Sequence, residues 1–160
     1  MSVFDVFEEF VQILPKGASI IGLDLGTKTI GVAISDRLWS VATPRETISR
    51  KKFTNDWQSI KAISDQVEAG GIILGLPMNM DGSEGPKCQS TRHFAKNFSN
   101  IVSLPITFWD ERLTTVEAER SLLSADLSRK KRKRVVDSVA AVLILQNLLD
   151  RLKYIQHKNT

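Results

Sequence analysis

The chain has 160 residues, the length of one ordinary domain, and with 42% hydrophobic and 25% charged residues it has material for a full core and excludes wholesale disorder. Its net charge of +4 has a local origin: the run "RKKRKR" at 129–134 holds six of the 22 basic residues, and without it the 18 acids would outnumber the bases. One cysteine, Cys88, excludes an internal disulfide, and with two histidines it cannot build an ordinary structural zinc site.

No apolar run approaches the ~20 residues of a membrane helix. The first fourteen residues, "MSVFDVFEEFVQIL", lack the positive start of a signal peptide, so a cytoplasmic protein is expected. Within them Val3, Phe4, Phe7, Phe10, Val11 and Leu14 have helical spacing, and Pro15-Lys16-Gly17 stops the pattern. This predicts an N-terminal helical extension over 1–17, laid against the domain and outside its sheet. Ile20–Leu25, Ile30–Ser35 and about Val41–Ile48 read as an antiparallel meander, its first turn at Gly26-Thr27-Lys28. Trp57, Ile60, Ile63 and Val67 mark a helix over Thr54–Ala69 that Gly70-Gly71 would end.

Ile72–Leu74 is short and wholly apolar, as a strand covered on both faces should be. The turn-rich "GLPMNMDGSEGPK" leads to a helix over Pro86–Phe98 and a strand over Leu104–Trp109. Thr114-Thr115-Val116-Glu117 has capping-box spacing and opens a further helix; a basic connector then enters a closing helix from about Val135 to Leu152. This order predicts a single α/β domain over 18–154 with a tail at 155–160. Its sheet is mixed and five-stranded, three antiparallel strands then two parallel ones, flanked by helices.

Ligands of such sheets collect beyond the carboxyl ends of the strands. Acidic residues fall there at three places in the chain. Asp24 interrupts the apolar run "IIGLDL", and a buried carboxylate needs a cation or a shifted pKa. Asp110 and Glu111 follow the strand ending at Trp109. Asp137 opens the closing helix, and Ala140, Ala141, Ile144 and Leu148 continue its stripe, so it stands on the core face. Singly, each has a plainer reading: a turn aspartate, a helix-dipole partner, a solvated ion pair in "DER". Jointly they point to a shared cation, and hard oxygen donors favour magnesium or manganese.

Arg129, Lys130, Lys131, Arg132, Lys133 and Arg134 precede that helix, where positive charge opposes its dipole. A solvated face is the ordinary reading of such a run; beside a cation site it suits phosphate, with Lys28 and Arg112 as further phosphate contacts. A nuclear-localisation reading is set aside because the run leads directly into the helix carrying Asp137. Gly75, Gly82 and Gly85 permit tight turns that could approach a phosphate, or a plain structural loop. Cys88 and His93, five residues apart on one helix, face different ways and make no nucleophile-base pair.

"GLDLGTKTIGVAISD", "GLPMNMDGSEG", "DERLTT" and "VDSVAAVLILQNLLD" resemble, in that order, the blocks of the bacterial YqgF family, also called RuvX-like, Holliday junction resolvase or pre-16S rRNA nuclease. The resemblance spans roughly Ser19–Asp150; Thr29 departs from the arginine common after "GTK". It implies an RNase H-like fold and two-metal phosphodiester hydrolysis with two Mg²⁺ or Mn²⁺ ions. Asp24 would bridge both ions, and Glu111 and Asp137 would each hold one, with Asp110 as the alternative to Glu111. It implies a nuclease for structured RNA, maturing the 5′ end of pre-16S rRNA; action alone or on a ribosomal particle, and as monomer or homodimer, are alternatives that the sequence leaves open. Cleavage of branched DNA, a nucleic-acid-binding module without catalysis, and an actin-like or sugar-kinase-type ATP-binding protein are the alternatives. The last needs two domains facing a cleft, and one domain of this length supplies only half of it.

Overall fold

A computed structural model describes residues 3–113 and 129–158, with residues 113, 129–138, 157 and 158 described in backbone only. The five expected strands are all present: β2 (Ser19–Leu25), β3 (Thr29–Ser35), β4 (Ala42–Pro44), β6 (Ala69–Leu76) and β7 (Ile106–Asp110). Two short pieces, β1 (Val3–Phe4) and β5 (Ile48–Ser49), enlarge the sheet to seven strands in the order β1-β7-β6-β2-β3-β4, with β5 also on β3. β2, β3 and β4 are antiparallel neighbours, whereas β6 lies parallel to β2 and to β7.

Three local expectations change. The N-terminal segment joins the sheet after all, since Val3 and Phe4 pair in parallel with Ile106 and Thr107 before α1 (Phe7–Ile13) begins. The third strand breaks into β4 and β5 around Arg45–Thr47, where Pro44 has no N–H for the ladder. Gly70-Gly71 do not end α2 (Phe53–Val67); Glu68 does, in the left-handed region at φ 53°, and both glycines lie inside β6. They are there for space, because a Cβ on Gly70 would meet Ala18 Cβ at 2.6 Å and one on Gly71 would meet Leu14 Cδ1 at 2.6 Å.

α3 (Pro86–Ser99) starts at its proline as expected. The closing helix α4 (Arg129–Lys158) is longer than the sequence suggested at both ends. The basic run is its first turns rather than a connector, consistent with the good helix propensity of lysine and arginine, and residues 155–158 are helix rather than tail. The helix expected from Thr114 lies outside the described residues.

Strand alternation divides the core in two. Ile21, Leu23, Ile72, Leu74 and Ile106 pack with Ile60, Ile63, Phe94 and Phe98 of α2 and α3. Ile20, Ala33, Ile73 and Trp109 pack on the other face with Phe10 and Leu14 and with Ala140, Ala141, Ile144, Leu145, Leu148 and Leu149 of α4. On that face Gly22 admits α4 closely: a Cβ there would lie 2.8 Å from Leu145 Cβ and 3.1 Å from Ala141 O. Further along α4, the Gln146 amide accepts from Ala42 N–H at 2.9 Å and donates to Ser40 O at 3.1 Å. Ala42 pairs with Ser35, whose hydroxyl accepts from Ile20 N–H at 2.8 Å. The helix therefore runs against β2, its amino end toward the carboxyl ends of β2, β6 and β7.

Candidate active site at the carboxyl edge of the sheet

Asp24 is the sixth residue of β2 and pairs with Gly31 across the hairpin. By alternation it shares the α4 face with Ile20 and Gly22, and it is only 7% exposed. The next strand, β6, follows β2 in register from Ile20–Gly71 to Leu23–Leu74, which brings Gly75 beside Asp24. Gly75 in turn pairs with Trp109 of β7.

The chain then leaves β7 at Asp110 and makes a single 3-10 turn, Glu111–Leu113. That turn brings the Glu111 carboxylate back over Gly75: a Cβ on Gly75 would lie 2.5 Å from Glu111 Oε1 and 2.5 Å from Ile144 Cδ1. Neighbouring strands are about 4.8 Å apart. The bare backbone of Gly75 thus forms the seat on which a carboxylate from β2 and one from beyond β7 share the α4 face.

Asp110 goes the other way. Its alternation puts it with Ile106 and Phe108, away from α4, and its carboxylate is taken by Arg112. Arg112 donates to it from Nη2 at 2.7 Å, from Nε at 3.1 Å and from the backbone N–H at 3.0 Å. Those hydrogen bonds hold the Asp110 carboxyl below the usual carboxylate range and push the guanidinium up. The remaining Arg112 nitrogen reaches Met80 O at 3.4 Å and lies 3.4 Å from where a Gly82 Cβ would be, so Arg112 braces the loop after β6.

That loop closes on itself. Asp81 Oδ1 accepts from Ser83 N–H at 2.9 Å and from Ser83 Oγ at 2.6 Å, and Gly82 takes the positive φ of 89° that the turn requires. Its far end is tied by Glu84 to Arg92, which also holds Asp5 and lies over the Phe108 ring. Cys88 is fully buried and His93 is exposed, so they face apart as expected, and burial pushes the thiol up.

Lys28 is exposed in the β2–β3 turn, four residues past Asp24. Residues 129–134 form the first turns of α4 and residue 137 follows on the same helix; their side chains are outside the described set. Among the described residues no three His, Cys, Asp or Glu side chains gather closely enough to hold a metal. The pair that does share a face, Asp24 and Glu111, consists of hard oxygen donors of the kind that suit magnesium or manganese.

A family model described as RuvX, Holliday junction resolvase, matches residues 18–151. The chain belongs to the RuvX family. Its relatives in Ruegeria sp. strain TM1040 and Ruegeria pomeroyi, both named "putative pre-16S rRNA nuclease", are 58% and 59% identical to it. The matches cover 96% and 94% of this chain and 98% of each relative. In fold this RuvX chain is similar to the RuvC of Thermus thermophilus, solved with a Holliday junction substrate and also by itself, at TM-scores of 0.53 and 0.52. The identities are 9% and 10%, and the matches cover 85% and 84% of this chain and 96% of each RuvC chain. The fold is thus the RuvC-like, RNase H-type arrangement of a mixed sheet between helices.

Sequence reasoning missed one feature of this edge. Gly75 was one turn glycine among three, although Gly71 and Gly75 have the same strand parity and so thin the same face.

Proposed function

We propose that this chain is a divalent-metal-dependent nuclease whose substrate is structured RNA, the 5′ region of precursor 16S rRNA. The observation that carries the reading is the Glu111 carboxylate seated on Gly75, on the face that Asp24 shares. Two carboxylates in a half-buried edge repel each other and favour a bound cation between them. Asp24 and Glu111 are the ligands, and Asp110, on the opposite face and already paired with Arg112, is not. Asp137 is the third: it stands one helical turn before Ala141, whose carbonyl lies against Gly22, and Asp24 is two strand residues further toward the same edge.

Divalent ions bound there would acidify a water and stabilise the leaving oxygen of a phosphodiester. The chain's own part is to hold the carboxylates in place, exclude bulk water with α4, and neutralise phosphate. Lys28 and residues 129–134 serve the last purpose; Arg112 serves it less than its charge suggests, because its guanidinium is occupied by Asp110. The choice of RNA follows the names of relatives more than half identical over nearly the whole chain.

A second reading, cleavage of branched DNA, is favoured by the description of the family model. Side-by-side cleavage of a pre-16S rRNA fragment and a four-way DNA junction, with Mg²⁺ or Mn²⁺ and with Asp24→Asn as control, separates the two. Cutting of the rRNA alone supports the first reading; cutting of the junction alone replaces it with the second.

A further inference from the structure

Asp24 sits one residue from the end of its ladder, since Leu25–Ile30 is the last β2–β3 pair. Strand ends fray, so the order of the turn that follows contributes to how well a carboxylate placed there is fixed. Inside the turn Gly26 N–H donates to Thr29 O at 2.9 Å. From outside, one residue grips it twice: Arg50 N–H donates to Lys28 O at 2.8 Å, and Arg50 Nη1 donates to Gly26 O at 2.7 Å.

Arg50 is itself held. Its Nε is 3.8 Å from Asp56 Oδ2, and its guanidinium lies 5.9 Å from the centre of the Phe94 ring. Asp56 is 2% exposed, a carboxylate in the first turn of α2 whose other oxygen accepts from Lys51 N–H at 2.9 Å. A carboxylate this deeply buried is costly unless it is paired and hydrogen-bonded; Lys51 N–H supplies a hydrogen bond and Arg50 the opposite charge. The guanidinium fork joins two points that a single ammonium could not span together.

We propose that Arg50, anchored by Asp56, is a positioning residue: it locks the β2–β3 turn and thereby fixes Asp24 as a metal ligand and Lys28 as a phosphate contact. This rests on the metal-site reading above. It differs from a plain packing role, because it ties Arg50 to the order of one turn rather than to the stability of the whole.

The test compares Arg50→Gln, Arg50→Lys and Asp56→Asn in the full chain. Amide hydrogen exchange over residues 24–31 is measured without metal, and Mn²⁺ half-saturation is measured by direct binding and by cleavage. In Arg50→Gln, exchange in the turn and the half-saturating Mn²⁺ concentration should each rise roughly tenfold or more, the scale of residues supporting metal ligands. Arg50→Lys and Asp56→Asn should fall between that variant and the parent.

A variant that melts earlier while turn exchange and Mn²⁺ half-saturation stay within about twofold of the parent would overturn the proposal, being well below that scale. If Arg50→Gln does not fold, Asp56→Asn decides by the same readouts. Asp24→Asn is run alongside: a parental Mn²⁺ response in that variant would defeat the metal reading, while exchange in the turn still decides the role of Arg50.

Discussion

Two aspartates at opposite ends of the sheet, Asp36 and Asp24, behave differently. Asp36, just past β3, is exposed and does what a turn aspartate does: one carboxylate oxygen accepts from the N–H groups of Ser40 and Val41 at 2.7 and 2.9 Å. Those bonds hold its carboxyl below the ordinary range. Nearby, Trp39 Nε1 donates to Ala18 O, so hydrogen bonds to the backbone fasten that end of the sheet. Asp24, at the opposite end, is buried inside its strand, next to a glycine that makes room for a second carboxylate. The acid that completes a turn is held by backbone within five residues of it, whereas the edge at Asp24 and Glu111 is assembled from strands distant in sequence.

The sharpest way to break this contrast is to remove charge at each site in turn. Asp24→Asn and Glu111→Gln are expected to lower cleavage by more than about 100-fold, beyond the range of residues that only support a ligand. A loss under tenfold in either, measured in single turnover, would place the chemistry elsewhere. Gly75→Ala should come next. Its methyl would collide with Glu111 Oε1 and Ile144 Cδ1, both 2.5 Å away, at a cost of roughly 1–3 kcal/mol of overpacking. A displacement of the carboxylate near 1 Å can cost on the order of 100-fold in rate, so activity should fall further than the melting shift explains.

The neighbouring acids at the end of β7 sharpen the comparison within one edge. Asp110→Asn should lower cleavage by less than about tenfold, through loosened support of the loop at Met80–Gly82. If Asp110→Asn and Glu111→Gln were equally inactive, the division of these two residues between faces would be wrong in function. Smallest is the pH effect at the opposite end. The folded Asp36 carboxyl is depressed, so its contribution to stability is complete above the unfolded value of about 3.9 and is lost as pH falls through the lower folded value. Asp36→Asn should therefore flatten the acid limb of the melting profile below about pH 4 and leave cleavage at neutral pH unchanged.

How much of this could be read in the sequence follows from range. Asp24 was visible because a carboxylate interrupting the apolar run "IIGLDL" is a local anomaly, and α3 began at its proline as expected. Which of Asp110 and Glu111 faces α4 was not visible: it depends on β7 running one residue past Trp109 and then tightening into a 3-10 turn. Gly70-Gly71 misled because a glycine pair can end a helix or thin a strand, and only Leu14 and Ala18 packing from the N-terminal segment decides. The basic run misled in the opposite sense. Its charge disfavours a helix start, yet its lysines and arginines are good helix formers and the long apolar stripe behind it carries the helix forward.

The most direct test is a crystal grown with Mn²⁺ and examined by anomalous scattering. The account requires a manganese peak coordinated by carboxylate oxygens of both Asp24 and Glu111, at the roughly 2.0–2.6 Å of oxygen-bound divalent cations. A peak held by Asp110 instead, or saturating Mn²⁺ with no peak between Asp24 and Glu111, would contradict it.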